Sequence, residues 1–310
     1  MLLCPIIVGV AASNCRIQED NLKSFFALCR YLAVALIILV ISRTGILVTG
    51  ILPWYSGFAA QVMSVALLCT IFAVSYTLGR KRDLVWWGLL STLPFVLLTR
   101  TAIAVTALTL PLTFAPMKFV KRLIFMAVII ALGIGVFYTP RVQNMMFFSG
   151  RGSIWDLRFD DPDIQTSGRS YMWERIISEI RKRPWFGHGA NASADVLSRL
   201  IHKVPGAQLH PHNDWLRLLY DYGCVGTFVF AGCLIAQTIH ALRMAKYTEG
   251  ESRILFYAGA SSFLPLALFM ITDNIVLYAA FWGNLQFTIL GLAYAAEATT
   301  NTIRINSRFD

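Results

Sequence analysis

Residues 123–138, LIFMAVIIALGIGVFY, form an uninterrupted apolar segment directly after the basic turn of Lys118, Lys121 and Arg122. A helix needs about 20 mostly apolar residues to cross the hydrocarbon core of a bilayer, where backbone polar groups must be paired internally. Similar segments recur near residues 25–41, 58–79, 84–98, 101–116, 215–241, 254–272 and 275–296. Together they predict an all-α polytopic membrane protein with about eight or nine transmembrane helices.

The composition of the whole chain agrees with this prediction. Of its 310 residues, 56% are hydrophobic and 14% are charged, and the mean hydropathy is +0.60. A soluble domain carries about 25% charged residues, so a soluble enzyme and a disordered chain are both excluded. The formal net charge of +10 indicates basic cytoplasmic loops before it indicates nucleic acid, and we expect no nucleic-acid partner.

The short loops predict an orientation in the membrane. The opposite short loops hold only Arg43 and Arg100, whereas one set of short loops holds nine cations, namely Arg80, Lys81, Arg82, Lys118, Lys121, Arg122, Arg243, Lys246 and Arg253. The positive-inside rule places these loops and the C-terminus in the cytoplasm, so segment 139–213 faces outward as one large loop with short helices. We divide the chain into N-terminal helices over 1–98, a membrane domain over 99–296 that includes this loop, and a cytoplasmic tail over 297–310.

Two arginines stand at the edges of apolar runs. Arg100 lies between two such runs with almost no linker, and Arg43 has a similar position further back in the chain. A cation at membrane depth is costly, which predicts a functional role for Arg100 and makes Arg43 a second substrate-binding candidate. The alternative is an interfacial arginine whose side chain extends to the lipid headgroups.

A third arginine begins the clearest helix of the outward segment. Ser167 or Gly168 can cap a helix from Arg169 to about residue 182, and Pro184 ends it. The N–H groups at a helix start favour anions, and a guanidinium can bind a phosphate through two nitrogens. Arg169 is therefore a candidate for anion binding, and a solvated loop arginine is the alternative.

The sequence His210-Pro211-His212-Asn213-Asp214 stands directly before the next apolar run. An imidazole can act as a general base near neutral pH, so the histidines of this motif are candidates for a base, and His210 and Asn213 are also substrate-binding candidates. The alternative is that Asn213 or Asp214 caps the helix while the histidines lie at the headgroups. The carboxylate and third histidine of a zinc enzyme are missing from this motif, and we predict neither a metal nor a cofactor.

Charged residues continue into the apolar run that follows. Asp214, Arg217 and Asp221 are three and four residues apart, so Arg217 can pair with either acid on one helix face. Asp221 is therefore expected to be a structural partner rather than a catalytic acid. Gly223 and Gly226 come next, with a spacing typical of a small-residue packing face between helices.

Four motifs now stand in order along the chain. They are Thr99-Arg100 at a helix start, Gly168-Arg169 followed by Trp173 and Ile177, the sequence RPWFGHG at 183–189, and HPHNDWL at 210–216 with DYGCVG at 221–226. The ordered set resembles the O-antigen ligase and polymerase family of bacterial integral-membrane glycosyltransferases. The resemblance covers roughly residues 99–240, with Thr99 in place of the usual serine.

The resemblance implies a GT-C-like fold in the bacterial inner membrane, with the active site on the periplasmic side. It implies a polyprenyl-diphosphate-linked glycan donor and a glycan or lipid acceptor, and transfer that is metal-independent and inverting. Arg100 and Arg169 would bind the donor diphosphate, and His212 would orient or deprotonate the acceptor hydroxyl. Export or chain-length proteins are further expected partners. The chain looks short for this family, and we expect N-terminal spans to be missing from residues 1–98.

Several functions remain open at this point. We favour a polymerase of surface polysaccharide, such as O-antigen or exopolysaccharide, over a ligase to lipid A core or an oligosaccharyltransferase to protein. A membrane transporter of anions or other solutes is the alternative from another class, and a non-catalytic scaffold is a third. Transporters carry ionisable residues near the bilayer midplane and show inverted repeats. Because the charges here cluster at the outer face, the sequence favours the enzyme.

Overall fold

The computed structural model of the chain describes residues 3–48, 59–97, 99–158, 161, 163–166, 168–201, 209–278 and 282–306. Every regular element in this part is helical, apart from an isolated antiparallel bridge between Phe147 and Ile164. The helices are α1 Leu3–Ser13, α2 Glu19–Val48, α3 Ala59–Thr77, α4 Asp83–Val96, α5 Arg100–Leu108, α6 Phe119–Phe137, α7 Pro140–Met146, α8 Arg169–Ile180, α9 Ala192–Ile201, α10 Asp214–Tyr247, α11 Gly250–Phe269 and α12 Gly283–Asn306. Two short 3₁₀ helices cover Ile154–Asp156 and Ile275–Tyr278.

Four helical segments of the described chain are long and apolar enough to cross a membrane. They are Asp20–Ser42, Phe119–Phe137, Asp214–Tyr247 and Gly250–Phe269. Three shorter apolar helices cover Cys4–Ser13, Ser64–Thr77 and Asp83–Val96. The prediction of an all-α membrane protein is confirmed, whereas the count of eight or nine spans and the GT-C-like arrangement stay predictions.

The apolar run over 101–116 differs from the continuous span that its composition predicts. Its helix, α5, has nine residues and is about 14 Å long at roughly 1.5 Å per residue, which is less than half of a bilayer core. The helix ends because Pro111 follows closely and cannot continue it. The hydroxyl of Thr109 then donates to the carbonyl of Thr106 at 2.6 Å. Hydropathy alone gave no sign of this stop.

The chain divides into two compact units. The first unit consists of Met1–Met126, Ile235–Phe269 and Ile275–Asp310. In its core, α3 packs against α4 and α11, and α12 packs against α1 and α11. Buried acids in this unit pair with arginines from other segments: Arg30 of α2 contacts Asp83 at 3.0 Å, and Arg80, in the turn before α4, pairs with Glu251. The sequence-based division at residues 98 and 296 remains a prediction.

The second unit consists of Ala127–Leu234 and Met270–Asn274 and holds the outward loop. Its core is a cluster of Met172 and Ile176 from α8, Leu197 from α9 and Tyr220 from α10. The helix predicted from Arg169 to about residue 182 is present as α8, and it packs on these neighbours through its apolar stripe. Ser167, the other candidate cap, lies outside the described residues.

Candidate active site

The His-Pro-His-Asn loop is fixed at both of its ends in the second unit. The side chain of Asn213 is buried, and its Oδ1 accepts the N–H of Leu216 at 3.0 Å, which caps the start of α10. The N–H of Asp214 donates to the carbonyl of Met270 at 2.8 Å. The capping alternative therefore accounts for the amide oxygen of Asn213, and its role in substrate binding stays a prediction.

His212 adopts a left-handed backbone conformation, with φ of 50°. This region is uncommon for residues other than glycine and is found at functional sites where surrounding structure enforces it. The Nδ1 atom of His212 lies 3.2 Å from Oδ1 of Asp273. A carboxylate beside Nδ1 favours the tautomer with its proton there, so that Nε2 is the basic nitrogen of the ring.

Arg169 is the first residue of α8 and follows Gly168, whose φ of 77° is left-handed. Burial lowers the pKa of the Arg169 guanidinium from its usual value, and the negative charge of Asp273 acts in the opposite direction. An arginine guanidinium keeps its proton in proteins, so the group remains a cation at neutral pH. A half-buried cation near a carboxylate that also contacts His212 forms a charged cluster of three groups.

Trp173 connects α8 to the histidine loop. It lies one helical turn after Arg169, and its indole Nε1 donates to the carbonyl of Pro211 at 2.6 Å. Because the Pro211 carbonyl belongs to the residue before His212, this bond holds the loop against the helix that carries the arginine. The segments that carry Arg169 and His212 are therefore connected by this hydrogen bond as well as by the charge of Asp273.

His210 lies beside a second set of charges. Burial lowers the pKa of the His210 imidazole, and electrostatic interactions with Arg217 and His212 lower it further. The negative charge of Asp221 acts in the opposite direction. Its Nδ1 atom is buried without a hydrogen-bond partner among the described residues. His210 is therefore a neutral ring near pH 7, and such a ring can accept or donate one hydrogen bond at either nitrogen.

Asp221 is a buried connecting residue of the second unit. Its carboxylate accepts the N–H groups of Asn191 at 3.2 Å and Ser193 at 2.8 Å, at the start of α9. Arg217 lies 3.7 Å from the same carboxylate and 3.9 Å from that of Asp214. Because its carboxylate accepts hydrogen bonds at the start of α9 and lies beside Arg217, the position of Asp221 agrees with the structural role that the spacing predicts.

Helix α10 is interrupted at Gly223, which has φ of 67° and ψ of −171°. The interruption releases backbone groups that a continuous helix would pair internally. These groups form hydrogen bonds with the turn after α8. The carbonyls of residues 220 and 221 accept the N–H groups of 188 and 189, and the N–H groups of 224 and 225 donate to the carbonyls of 184 and 185. Gly223 therefore forms a backbone contact between segments rather than the helix-packing face that its spacing suggested.

The predicted site residues fall into two groups. Arg169, His210, His212 and Asn213 all lie in the second unit, where the contacts above join them. Arg100 begins α5 in the first unit and has an exposed side chain, and its participation in the same site stays a prediction. Arg43 lies within α2, but its side chain is outside the described part of the chain.

Asp273 is the site residue that sequence reasoning missed. It stands in Thr272-Asp273-Asn274, a polar turn between apolar runs. The same physical argument that singled out Arg100 applies to it, because a charge between two apolar runs is costly without a partner. Its partner is far away in sequence and therefore invisible without the fold.

Segment 139–213 contains an acidic pair with a spacing known from metal-binding motifs. Asp161 and Asp163 have the Asp-x-Asp spacing, and their carboxylates accept N–H groups within the loop, from Asp163 and Ser149 respectively. Among the described residues, no group of three or more His, Cys, Asp or Glu side chains could hold a metal ion. The metal-independent reaction stays a prediction.

Comparison with known families addresses the class of protein. Residues 84–231 match the family described as O-Antigen ligase, which supports assignment of the chain to the O-antigen ligase and polymerase family. The matched range contains Arg100, Arg169 and His212, while Asp273 lies beyond it. No curated protein matches the chain. The family and the apolar helices together indicate a multi-pass membrane enzyme of the glycosyltransferase type, with lipid-linked glycan substrates in surface polysaccharide biosynthesis.

Proposed function

We propose that this protein transfers or polymerises polyprenyl-diphosphate-linked oligosaccharide units at the periplasmic face of the inner membrane. The observation that carries the proposal is the position of Asp273, which lies 3.2 Å from His212 and near enough to Arg169 to raise the pKa of its guanidinium. An imidazole oriented by a carboxylate beside a fixed cation suits the transfer of a glycosyl group from a phosphate leaving group.

In the proposed reaction, Arg169 binds the diphosphate of the donor, and Arg100 assists as a second cation. His212 accepts the proton of the acceptor hydroxyl at Nε2 while the hydroxyl oxygen attacks the anomeric carbon. The bond between that carbon and the diphosphate oxygen breaks, and polyprenyl diphosphate leaves with the electron pair. A single displacement inverts the anomeric carbon, and the arginines supply the charge neutralisation without a metal.

The charged cluster also separates this proposal from a transporter. Proton-transfer groups in a transporter lie on membrane helices near the midplane. Here His212 precedes α10 and Asp273 follows α11, so both stand at the ends of candidate spans. That arrangement favours chemistry at a membrane surface over passage through the membrane.

The test is transfer by the purified protein in lipid with a polyprenyl-diphosphate-linked oligosaccharide. We expect His212→Ala and Arg169→Ala each to abolish product formation at normal expression. Arg199→Ala is the matched control, since Arg199 is an exposed cation on α9 with no place in the proposed site, and it should retain activity. Near-normal product from either site variant would contradict the proposal.

Deletion of the gene distinguishes the polymerase from the ligase. Loss of long polysaccharide chains with normal capping of lipid A core indicates a polymerase. Loss of capped lipid A core while free polymer persists indicates a ligase, and loss of glycosylated protein indicates transfer to protein. We favour the polymerase because nothing in the chain is specific for lipid A.

A further inference from the structure

A turn of six exposed residues, Arg181–Phe186 (RKRPWF), follows α8 and has no role in the proposed chemistry. We call it the basic-aromatic turn. Three consecutive cations precede Pro184, and two large rings follow it. The side chains of Trp185 and Phe186 are 66% and 79% exposed. Large apolar side chains that are this exposed indicate a surface that contacts a membrane or a binding partner.

The exposure of these rings does not come from a loose loop. The carbonyl of Pro184 accepts the N–H of Cys224 at 2.7 Å, and the carbonyl of Trp185 accepts the N–H of Val225 at 3.1 Å. Gly187 directly follows the turn, and a Cβ there would lie 2.6 Å from the backbone of Asp221. The turn is therefore held against α10, and its two rings are presented to the surroundings by a fixed backbone.

The turn adjoins the exposed apolar face of a candidate membrane span. Beyond Val225, α10 exposes Phe228 by 76% and Val229 by 62%. These residues lie one helical turn further along, in a helix whose length and composition suit a bilayer. Trp185 and Phe186 therefore stand where the apolar face of α10 begins. Aromatic residues concentrate at this level of membrane proteins, where the hydrocarbon core meets the headgroups.

The charges of the turn favour phosphate-bearing lipids. Lys182 contacts Glu179 at 2.8 Å, whereas no carboxylate of the described chain forms an ion pair with Arg181 or Arg183. Cations beside interfacial aromatic rings are the composition of segments that bind anionic membrane surfaces. A guanidinium can bind a phosphate through two nitrogens.

We propose that the basic-aromatic turn binds anionic phospholipid headgroups of the bilayer that α10 enters, with its rings in the interface and Arg181 and Arg183 on lipid phosphates. The inference does not rest on the proposed function, because it requires only that α10 lies in a membrane. Helix α8 connects this anchor to Arg169 across 12 residues, or about 18 Å. The anchor therefore holds the end of α8 that is opposite to Arg169.

The experiment uses the full chain in liposomes, with its six cysteines replaced and one new cysteine carrying the fluorophore NBD. Phe186→Cys places the probe on the turn while Trp185 remains, and Ser198→Cys on α9 is the matched exposed control. The quenchers are phosphatidylglycerol and phosphatidylcholine, each with a nitroxide at the same upper position of the acyl chain. We expect quenching at 186 but not at 198, and stronger quenching by phosphatidylglycerol.

The arginines are tested through the ratio of quenching by the two lipids. Each Arg→Gln change should lower this ratio on the order of fivefold, since a cation near an anionic surface contributes about 1 kcal/mol. The double variant Arg181→Lys and Arg183→Lys should retain the preference. Quenching at 186 no greater than at 198 would overturn the proposal and favour a glycan or protein partner. Equal quenching by the two lipids, or a ratio unchanged by glutamine, would also overturn it.

Discussion

Asp273 interacts with two basic groups in the second unit, an imidazole and a guanidinium. Its carboxylate contacts the imidazole of His212, accepts the N–H of Asn274 at 2.8 Å, and counteracts the lowering of the Arg169 pKa by burial. A carboxylate in this position orients a base and also balances a cation while no substrate is bound. A diphosphate would then compete with Asp273 for Arg169.

We expect Asp273→Asn to lower turnover by about 100-fold, the lower range of what a positioned acid–base group contributes. Turnover at a saturating concentration of the lipid-linked donor checks this. Turnover within about twofold of the wild type would show that Asp273 does not position His212.

Asp221→Asn is the matched control for that experiment. Asp221 holds the start of α9 and pairs with Arg217, so its neutralisation should lower stability by about 1.5–3 kcal/mol, as for other hydrogen bonds to charged groups. The protein that remains folded should keep the wild-type turnover. A loss of turnover equal to that of Asp273→Asn would place Asp221 in the chemistry instead.

His210 provides a pH-dependent contribution to stability. The unfolded chain takes up its proton near the ordinary pKa of 6.5, whereas the folded protein does so only at lower pH. Between the two values the unfolded state binds more protons, so stability falls as the pH decreases. We expect the unfolding temperature to fall between about pH 7 and pH 5, and to fall less in His210→Gln. An equal decrease in both proteins would contradict this account.

At the scale of elements, the junction between the turn after α8 and the interrupted helix α10 holds the second unit together. Four backbone hydrogen bonds cross it, between residues 184–189 and 220–225. The segments approach so closely that neither Gly187 nor Gly223 has room for a Cβ. The motif pair RPWFGHG and DYGCVG is thus explained by backbone contact.

Gly223→Ala should therefore destabilise the protein. Its φ of 67° is strained for alanine, and the new Cβ would clash with the carbonyl of Trp185, which together cost at least about 1–3 kcal/mol. Gly232→Ala on the same helix is the control, since a Cβ there meets nothing within 4 Å and alanine favours a helix by up to about 1 kcal/mol. Unfolding in detergent measures both, and equal stability of the two variants would refute the argument.

The sequence predicted some elements well and others poorly, for physical reasons. Helix α8 was predicted nearly to its ends because Gly168 and Pro184 mark them locally. The sequence predicts a span over 101–116 where the structure has the short α5, because the mean hydropathy of the run does not show that Pro111 ends the helix. The contact between His212 and Asp273 could not be read from the chain, since 61 residues separate them and only the fold joins them. Pairing between near neighbours, as of Arg217 with Asp221, was predictable from the sequence, whereas pairing between distant residues was not.

At the scale of the whole molecule, charged residues are arranged differently in the two units. The first unit buries acids against arginines, as in Arg30 with Asp83, and such pairs are costly to break from one side. The second unit exposes most of its cations and buries a few around His210 and His212. The excess of positive charge therefore serves orientation in the membrane as well as the candidate site.

The predicted orientation is testable with single cysteines in a cysteine-free chain. Ser198→Cys lies in the outward loop, and Lys246→Cys lies in a basic loop; both positions are exposed. A membrane-impermeant maleimide should label Ser198→Cys in intact cells and Lys246→Cys only after permeabilisation, because positive loops remain inside. The reverse pattern would invert the orientation and move the candidate site to the cytoplasmic face.

The contact between Gly187 and Gly223 also limits how this protein can evolve. Most damaging substitutions can be rescued by a second change that makes room, because side chains can shrink. Here the obstacle to a side chain at either position is main chain, which no mutation elsewhere can trim. In a saturation screen these two positions should tolerate almost no replacement and yield no suppressors, so a lineage that loses either glycine can recover only by reversion.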